Sequence, residues 1–322
     1  MPDLRIYSSD DALPELLEGS FFHSKEFFRL CARTPKLQPY MVVLNDEGQE
    51  LCHLLAIVRT RTTWLPPYFL RHCMVMEEGV YAGGATGREA LFGTMIDAVM
   101  KRLGLGIAYL EVSHLNQKMF AYKEFRQRGF FPVRWIDIAN SLGSRPPEER
   151  LGRRTRDRIN KGMQRGAKTT EVANEEDMGQ FMHLMRRYTI LKPHRYLPTR
   201  EFFEGLQRQG NGRLFLTRYN GKAIGCSTTV YSGRDAYFWY AAYRRKSFAF
   251  LYPHLLTVWH ALADARRRGF RHMVFVDVGL PYEHSRLREM ILSFGGLPQS
   301  TYRWFHFPLG WLNKIFSWIY RG

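Results

Sequence analysis

Two acids stand out by position. Glu111 is the penultimate residue of the short run Tyr109-Leu110-Glu111-Val112, and Asp277 of Phe275-Val276-Asp277-Val278. Such runs, preceded by glycine and mostly apolar, are expected as short buried strands. An acid at the end of a buried strand serves one of two ends. It hydrogen-bonds neighbouring backbone, or burial raises its proton affinity and makes it a general base. His114 lies just past Glu111 and is either a titrating group or an incidental loop residue. Glu283 and His284 follow Asp277 on a loop well placed to border a substrate pocket. Tyr237, Trp239, Tyr240 and Tyr243 share one predicted strand. Strict alternation puts Tyr237 and Trp239 on one face and Tyr240 on the other. Core packing accounts for these rings; proton or oxyanion donation by the Tyr240 phenol is the chemical alternative.

The second class of groups binds anions. Lys192, His194, Arg195 and Arg200 cluster around Pro193 and Pro198, and Arg244, Arg245 and Lys246 form a second basic run. A charge run is either a solvated face or a phosphate site. Here 47 Lys and Arg against 30 Asp and Glu give a net charge of +17, which favours a polyanionic partner: nucleic acid, anionic lipid or a phosphorylated substrate. Gly83 and Gly84 open a glycine-rich segment before a helix, which is a plain turn or a phosphate cradle. Cys31, Cys52, Cys73 and Cys226 are far apart, with no CxxC pair and no Cys/His ligand spacing. Buried free thiols in a reducing compartment explain them, and no metal is expected.

These groups need a scaffold. A chain of 322 residues exceeds what one core usually holds, so two domains are expected. Residues 10–34 read as a helix, followed by strands over 40–44, 51–61 and 68–76. A helix over 88–103 carries the stripe Leu91, Met95, Ala98 and Val99. Strand 107–112, helix 118–128 and strand 130–138 follow. The arginine-rich stretch 145–168 reads as a basic connecting helix. Helices over 175–189 and 199–207 come next, the latter with Thr199 as cap. Strands 213–219, 223–231 and 236–243 follow, the first two joined by the tight-turn pair Asn220-Gly221. Pro253 begins a helix to 268, and 272–278 is a buried strand.

The two halves repeat this order. The same 21 positions separate Glu111 from Pro132 and Asp277 from Pro298, and both prolines close a Gly-aromatic or Gly-Leu segment. Shared order, acid and spacing argue for an internal duplication.

An antiparallel meander feeding a helix, then a parallel strand, a helix and a last strand, resembles the GNAT fold. Two in tandem resemble the Fem-type (FemAB-like) aminoacyl- and acyltransferases. The carriers are Tyr81-Ala82-Gly83-Gly84, Tyr109-Leu110-Glu111-Val112, the basic segment Arg153 to Gly166, Asp277-Val278-Gly279 and Phe294-Gly295-Gly296. The resemblance implies an α/β fold of two tandem GNAT-like domains, each a mixed sheet flanked by helices. It also implies transfer of an aminoacyl or acyl group onto an amine, often on a lipid-linked or sugar acceptor. Better-known members use aminoacyl-tRNA and extend peptidoglycan peptides of the cell envelope. The chain departs from them twice. Met290-Ile291 stands where a Phe-Lys pair is usual, and Ser113-His114 where an Asp-Pro is usual. Both departures favour a branch with another activated donor. The GNAT pyrophosphate loop wants glycines, yet Arg245-Lys246-Ser247-Phe248-Ala249-Phe250 offers phenylalanines. The donor is therefore left as aminoacyl-tRNA or acyl-CoA, with no resident cofactor.

Trp304, Trp311 and Trp318 recur every seven residues, with Phe316 between the last two and Lys314 nearby. A short aromatic, basic helix suits a membrane interface; packing on the second domain is the other account. No apolar run is long enough to span a bilayer, and no signal peptide is recognised, so a cytoplasmic protein peripheral to the membrane is expected. The expected domains are 1–145, a connecting helix 146–170, 171–307, and an aromatic helix 308–322. The expected function is N-acyl transfer to an amine on a lipid-linked or phosphate-bearing acceptor. Its rivals are a non-catalytic protein that binds RNA or anionic lipid, and an acetyl-CoA-dependent GNAT acetyltransferase acting on a soluble amine.

Overall fold

The computed structural model describes residues 3–62, 64, 66–143, 145–190, 196–276 and 278–320. The first repeat runs β1 (Asp3–Tyr7), α1 (Lys25–Arg33), β2 (Leu37–Asp46), β3 (Gln49–Thr62), β4 (Phe69–Met76), β5 (Val80–Tyr81), α2 (Arg88–Leu103), β6 (Tyr109–Ser113), α3 (Tyr122–Gln127) and β7 (Phe131–Ser141). Next come α4 (Pro147–Arg150), α5 (Arg153–Gln164), β8 (Lys168–Glu171), α6 (Glu175–Thr189), α7 (Arg200–Arg208), β9 (Gly212–Tyr219), β10 (Lys222–Ser232) and β11 (Asp235–Tyr243). The chain continues with α8 (Pro253–Arg267), β12 (His272–Phe275), α9 (Arg286–Leu292), β13 (Leu297–His306) and α10 (Gly310–Ile319).

The single helix expected over 10–34 is broken. Pro14 cannot continue a helix. Short 3-10 turns at Asp10–Ala12 and Phe21–His23 precede α1, whose N-cap Ser24 accepts from Phe27 N at 3.1 Å. Thr199 does precede α7, but its side chain makes no capping bond. The strand expected to reach 278 ends at Phe275.

Contacts divide the chain into two units. Unit 1 is Met1–Trp135 with Ser300–Gly322; unit 2 is Ile136–Gln299. This differs from boundaries drawn along the sequence, because each repeat contributes its last strand elsewhere. In unit 1, β1 to β4 pair antiparallel, β6 is parallel to β4, and β13 pairs antiparallel with β6 through Trp304↔Val112. In unit 2, β8 to β11 pair antiparallel, β12 is parallel to β11, and β7 pairs antiparallel with β12 through Ile138↔Phe275. Each unit thus has the same mixed sheet with helices on it.

Trp304 is a correction. Expected at a membrane, it is 0% exposed on β13, stacked on Phe125 with centroids 4.5 Å apart. It belongs to the core that Leu54, Val75, Phe92, Ile96 and Val112 build under α2. The regular tryptophan spacing crosses from a strand into a helix, so only Trp311 and Trp318 share α10. Unit 2 has its own core, with Ile138, Val258, Leu262, Phe275 and Phe294. The basic helix α5 is part of it, through Thr155, Ile159 and Gly162. A Cβ on Gly162 would lie 2.6 Å from the Leu251 carbonyl oxygen, so only glycine allows this approach.

Unit 1 also holds a buried polar network that no motif announces. His53 Nδ1 meets the Glu50 carboxylate, and His53 Nε2 lies 3.1 Å from the His23 carbonyl oxygen. Leu55 N donates to His23 Nδ1 at 2.9 Å, and Leu17 N to Glu50 at 2.9 Å. The network ties the irregular stretch before α1 to β3. All four cysteines are buried free thiols. Burial pushes Cys31 and Cys52 up to about 12.

Candidate functional site

The parallel pair in unit 2 comes apart. β11 and β12 are in register from Asp235↔His272 to Phe238↔Phe275, where β12 ends while β11 runs on to Tyr243. On its other edge, β11 slips by one residue against β10: Thr229 faces Phe238 and Thr228 faces Tyr240. Trp239 is therefore a bulge, and a bulge bends its strand and strengthens its twist. The bend coincides with the point where the parallel partner ends.

A narrow cleft of about 60 Å³ opens there. Phe238, Trp239, Ala241 and Tyr243 form the β11 wall, and Phe275, Val276 and Val278 face them. Ile291 from α9 and Tyr188 from α6 also line it. The walls are apolar and aromatic, which suits the uncharged stem and acyl portion of an activated donor. Ile291 is 3% exposed and packs as a wall residue.

The bulge also revises the aromatic strand. Trp239 and Tyr240 do not face opposite ways; both meet α7, Trp239 against Phe202 at 5.9 Å and Tyr240 against Phe203 at 5.5 Å. Period-two alternation fails wherever an extra residue is inserted.

Past the cleft, β11 leads into Arg244, Arg245 and Lys246, the last two exposed. Arg245 lies over the Tyr243 ring at 5.8 Å. Two further arginines come from α5 and its C-cap: Arg158 over Tyr252 at 5.3 Å, and Arg165, which donates to the Phe250 carbonyl at 2.6 Å. Arg245, Arg158 and Arg165 thus flank the start of α8, where the helix dipole also favours an anion. Burial first, then Arg245 and Arg158, pushes His254 down to about 4, so this imidazole is neutral at pH 7. The loop lacks the glycines of a standard pyrophosphate cradle. Phe248 and Phe250 instead pack on Tyr219 at 6.4 and 6.0 Å.

The remaining predicted residues separate between the units. Glu111 and His114 are in unit 1. Arg303 Nη1 holds Glu111 Oε1 at 3.3 Å and lies over Trp135 at 3.9 Å. His114 has a positive φ of 59° just after β6. Gly83 and Gly84 form an open turn with nothing packed near either, and Gly84 needs its φ of 90°. In unit 2, His284 pairs with Glu289 at 2.9 Å. Arg288 clamps the loop by donating to the Leu280 and Glu283 carbonyls. Arg200 pairs with Glu175 and Glu204 on α7's outer side. Lys192, His194, Arg195 and Asp277 lie outside the described residues. Reading from sequence missed Phe238, Ala241, Phe275 and Tyr188 as cleft residues; the aromatic run was visible, the bulge was not.

At the other end of unit 1, α10 is fixed to the body. The Asn313 side chain accepts from Phe307 N at 3.0 Å and donates to the Gly129 carbonyl at 2.8 Å. Phe316 stacks on Phe307 at 4.6 Å. The outward stripe is Trp311 (62% exposed), Ile315, Trp318 (72% exposed) and Ile319, with Lys314 beside it. No helix among the described residues is long and apolar enough to cross a membrane.

Residues 151–284 match the acetyltransferase (GNAT) domain family. No curated protein matches the sequence. Among solved structures, FemX covers 87% of this chain and 90% of its own, with a TM-score of 0.60 and 11% identity. A tandem GNAT protein from the clavulanic acid biosynthesis pathway covers 95% of this chain and 99% of its own (TM-score 0.56, 11% identity). The structure of L-PGS from Bacillus licheniformis covers 82% and 89% (TM-score 0.55, 9% identity). Such likeness establishes the fold. The matched segment ends beyond β12 and contains the whole β11 wall of the cleft, so the chain carries an acyltransferase domain of the GNAT type in unit 2.

Proposed function

We propose that this chain is a Fem-like N-acyltransferase that works in unit 2 and docks on the inner face of the cytoplasmic membrane. Its acceptor is an amine on a lipid-linked or phosphate-bearing molecule, in keeping with a role in building the cell envelope. The opening of β11 from β12 at the Trp239 bulge carries the reading. It offers a slot for the acyl portion of a donor, and the cations around α8 offer a seat for the donor's phosphates.

In this mechanism the donor lies along β11 with its carbonyl beside the strand. The acceptor amine attacks that carbonyl carbon, and backbone N–H groups along the cleft stabilise the oxyanion. The attacking nitrogen must lose a proton. Asp277 stands in sequence between Val276 and Val278, which both line the cleft, and is assigned that proton. Collapse of the intermediate expels the donor's thiol or hydroxyl and leaves an amide. The solvent-facing Trp311, Ile315, Trp318 and Ile319 support membrane docking, since tryptophan and basic side chains favour the interface.

The test is binding by the full chain of aminoacyl-tRNA, acyl-CoA and anionic vesicles at low and high salt. Nonspecific polyanion binding fades with salt. Salt-resistant binding of one donor, lost in Ala241→Phe, supports transfer and names the donor. Binding of vesicles or RNA alone, unaffected by Ala241→Phe, makes the chain a non-catalytic binding protein instead.

A further inference from the structure

Three connections leave the unit 1 sheet at one end. β4 and β6 run parallel and start together at His72↔Tyr109. β3 runs antiparallel to β4 and ends opposite its start, at Thr62↔Phe69. β13 runs antiparallel to β6 and ends beside its start, at His306↔Leu110. The β3–β4 turn, the turn from α2 into β6 and the link from β13 into α10 therefore meet there. Each presents large apolar side chains to solvent. Trp64, Tyr68 and Phe69 at the β3–β4 turn are 65%, 64% and 59% exposed. Leu105 stands exposed after α2, and exposed Leu309 leads into the α10 stripe of Trp311 and Trp318. Rings this exposed contribute little to the core, and an apolar surface of this kind marks a contact with something else.

The charges of unit 1 sort along the same axis. No Asp or Glu occurs at 51–76, 98–110 or 290–322, the segments that meet at this end. Five cations lie there. Lys36 Nζ donates to Thr62 Oγ1 at 2.7 Å, Arg71 donates to the Gln38 side chain at 3.3 Å, and Arg102 lies over the Tyr40 ring at 5.7 Å. Those partners are neutral and cancel no charge. Lys101 in the last turn of α2 and Lys314 on α10 are exposed. The carboxylates nearer α10, Asp97 and Glu124, are both held by Arg128. The opposite end of the sheet carries Asp46 and Glu47 at the β2–β3 turn and Glu78 after β4. Tryptophan and tyrosine rings among uncancelled cations suit the headgroup level of an anionic bilayer. Lysine, three of the five cations, is depleted at protein–protein interfaces. The aliphatic Leu105, Leu309, Ile315 and Ile319 gain from hydrocarbon and nothing from stacking bases, which disfavours RNA.

We propose that the β3–β4 turn is a second membrane contact, and that with α10 it sets this end of the unit 1 sheet against an anionic bilayer. The inference rests on the membrane-docking reading above and adds a fixed orientation to it. A single helix lets the body pivot, whereas two separated contacts do not. The strands of unit 1 then stand end-on to the membrane, and the acidic β2–β3 turn points away from it.

The experiment uses the full chain and vesicles of phosphatidylcholine mixed with phosphatidylglycerol in equal parts. All four native cysteines are buried, so a thiol-reactive fluorophore labels an introduced one. The label at Tyr68→Cys should be quenched by lipids brominated in the acyl chain, and the label at Asp46→Cys, on the opposite end, should not. Trp64→Ser/Tyr68→Ser changes exposed positions that folding tolerates, and should weaken vesicle binding about tenfold or more. Pure phosphatidylcholine vesicles should bind at least about tenfold more weakly than the mixture. Vesicle binding that stays within about twofold in Trp64→Ser/Tyr68→Ser, with Tyr68→Cys unquenched, overturns this inference and leaves docking through α10 in place. Equal quenching at both labels, or equal binding to the two kinds of vesicle, overturns it as well. Absence of vesicle binding by the wild-type chain removes the docking reading and this inference together. Self-association or RNA binding that Trp64→Ser/Tyr68→Ser abolishes, with Tyr68→Cys unquenched on vesicles, assigns the surface to that occupant and overturns the inference.

Discussion

The two units share a topology and differ at one strand pair. In unit 1, β4 and β6 stay in parallel register for all of β6, from His72↔Tyr109 to Met76↔Ser113. In unit 2, the equivalent β11 and β12 part after Phe238↔Phe275, beside a bulge that has no counterpart in the β3–β4 register. A duplicated fold is therefore not a duplicated site. In unit 2 the bulge at Trp239 and the end of the β11–β12 pairing fall together, and the cleft opens there. In unit 1 the matching acid, Glu111, is engaged by Arg303 rather than exposed to a slot.

The largest expected effect tests whether unit 1 depends on a strand that the sequence places in the second half. Removing residues 300–322 takes most of β13, with Trp304, from its core, and unit 1 should lose its cooperative unfolding. Trp304→Ala alone should cost ~3–5 kcal/mol, the range for a buried large aromatic. Hydrogen exchange read on peptides from β2 and β3 would report either change; full protection in the truncated chain would dissolve the division into these units.

The next effect bears on chemistry. Asp277→Asn should lower kcat by about 10²–10⁴, the usual worth of a general base. Glu111→Gln should leave kcat within about threefold, because no proton transfer is assigned to it. Steady-state kinetics with the donor found by binding would decide, and the opposite ranking would move the site to unit 1.

Acid should separate the units as well. Burial first pushes His23 down to about 3, and burial with Arg59 and Arg61 does the same to His72; both are in unit 1. His254 in unit 2 is down to about 4. The unfolded chain takes up these protons near pH 6.5, the native state only near 3 to 4. The contribution of a neutral buried histidine is therefore whole above pH 6.5 and lost as pH falls below it. With His23, His72 and His306 lowered in unit 1 against His254 and His260 in unit 2, unit 1 should lose exchange protection faster than unit 2 between pH 6.5 and 4.5. Equal losses would show that other groups control acid stability.

The smallest effect concerns helix starts. Ser24 in unit 1 makes its capping bond and Thr199 in unit 2 does not. Ser24→Ala should cost about 1 kcal/mol and Thr199→Ala a few tenths, measured by urea denaturation.

Much of the fold was legible. The helices over 88–103 and 175–189 coincide with α2 and α6, because an amphipathic stripe between glycine or asparagine caps leaves little freedom. Asn220-Gly221 marked the β9–β10 turn, with both residues at positive φ. The exchange of last strands was not legible, since Phe131–Ser141 and Leu297–His306 read as strands whatever they pair with. Trp304 illustrates the cost: a spacing of seven resembles a helical face even when a strand supplies its first member. The basic run at 244–246 was visible and lies beside the cleft. The cleft itself was not, because a bulge leaves no mark in the pattern of residue types. Arg158 and Arg165 were read as part of a connecting helix, and only their contacts with Tyr252 and Phe250 and the packing of Gly162 show that they serve unit 2.

The placement of β13 also sets an order of events in the cell. Residues 1–135 leave the ribosome first, yet the space for Trp304 beside Phe125 cannot fill until residue 304 has been made. At ordinary elongation rates that is a delay of roughly ten to thirty seconds. Throughout it, the outer edge of β6 stays unzipped and sticky. The nascent first half is thus a natural client for a chaperone until residue 304 has been made.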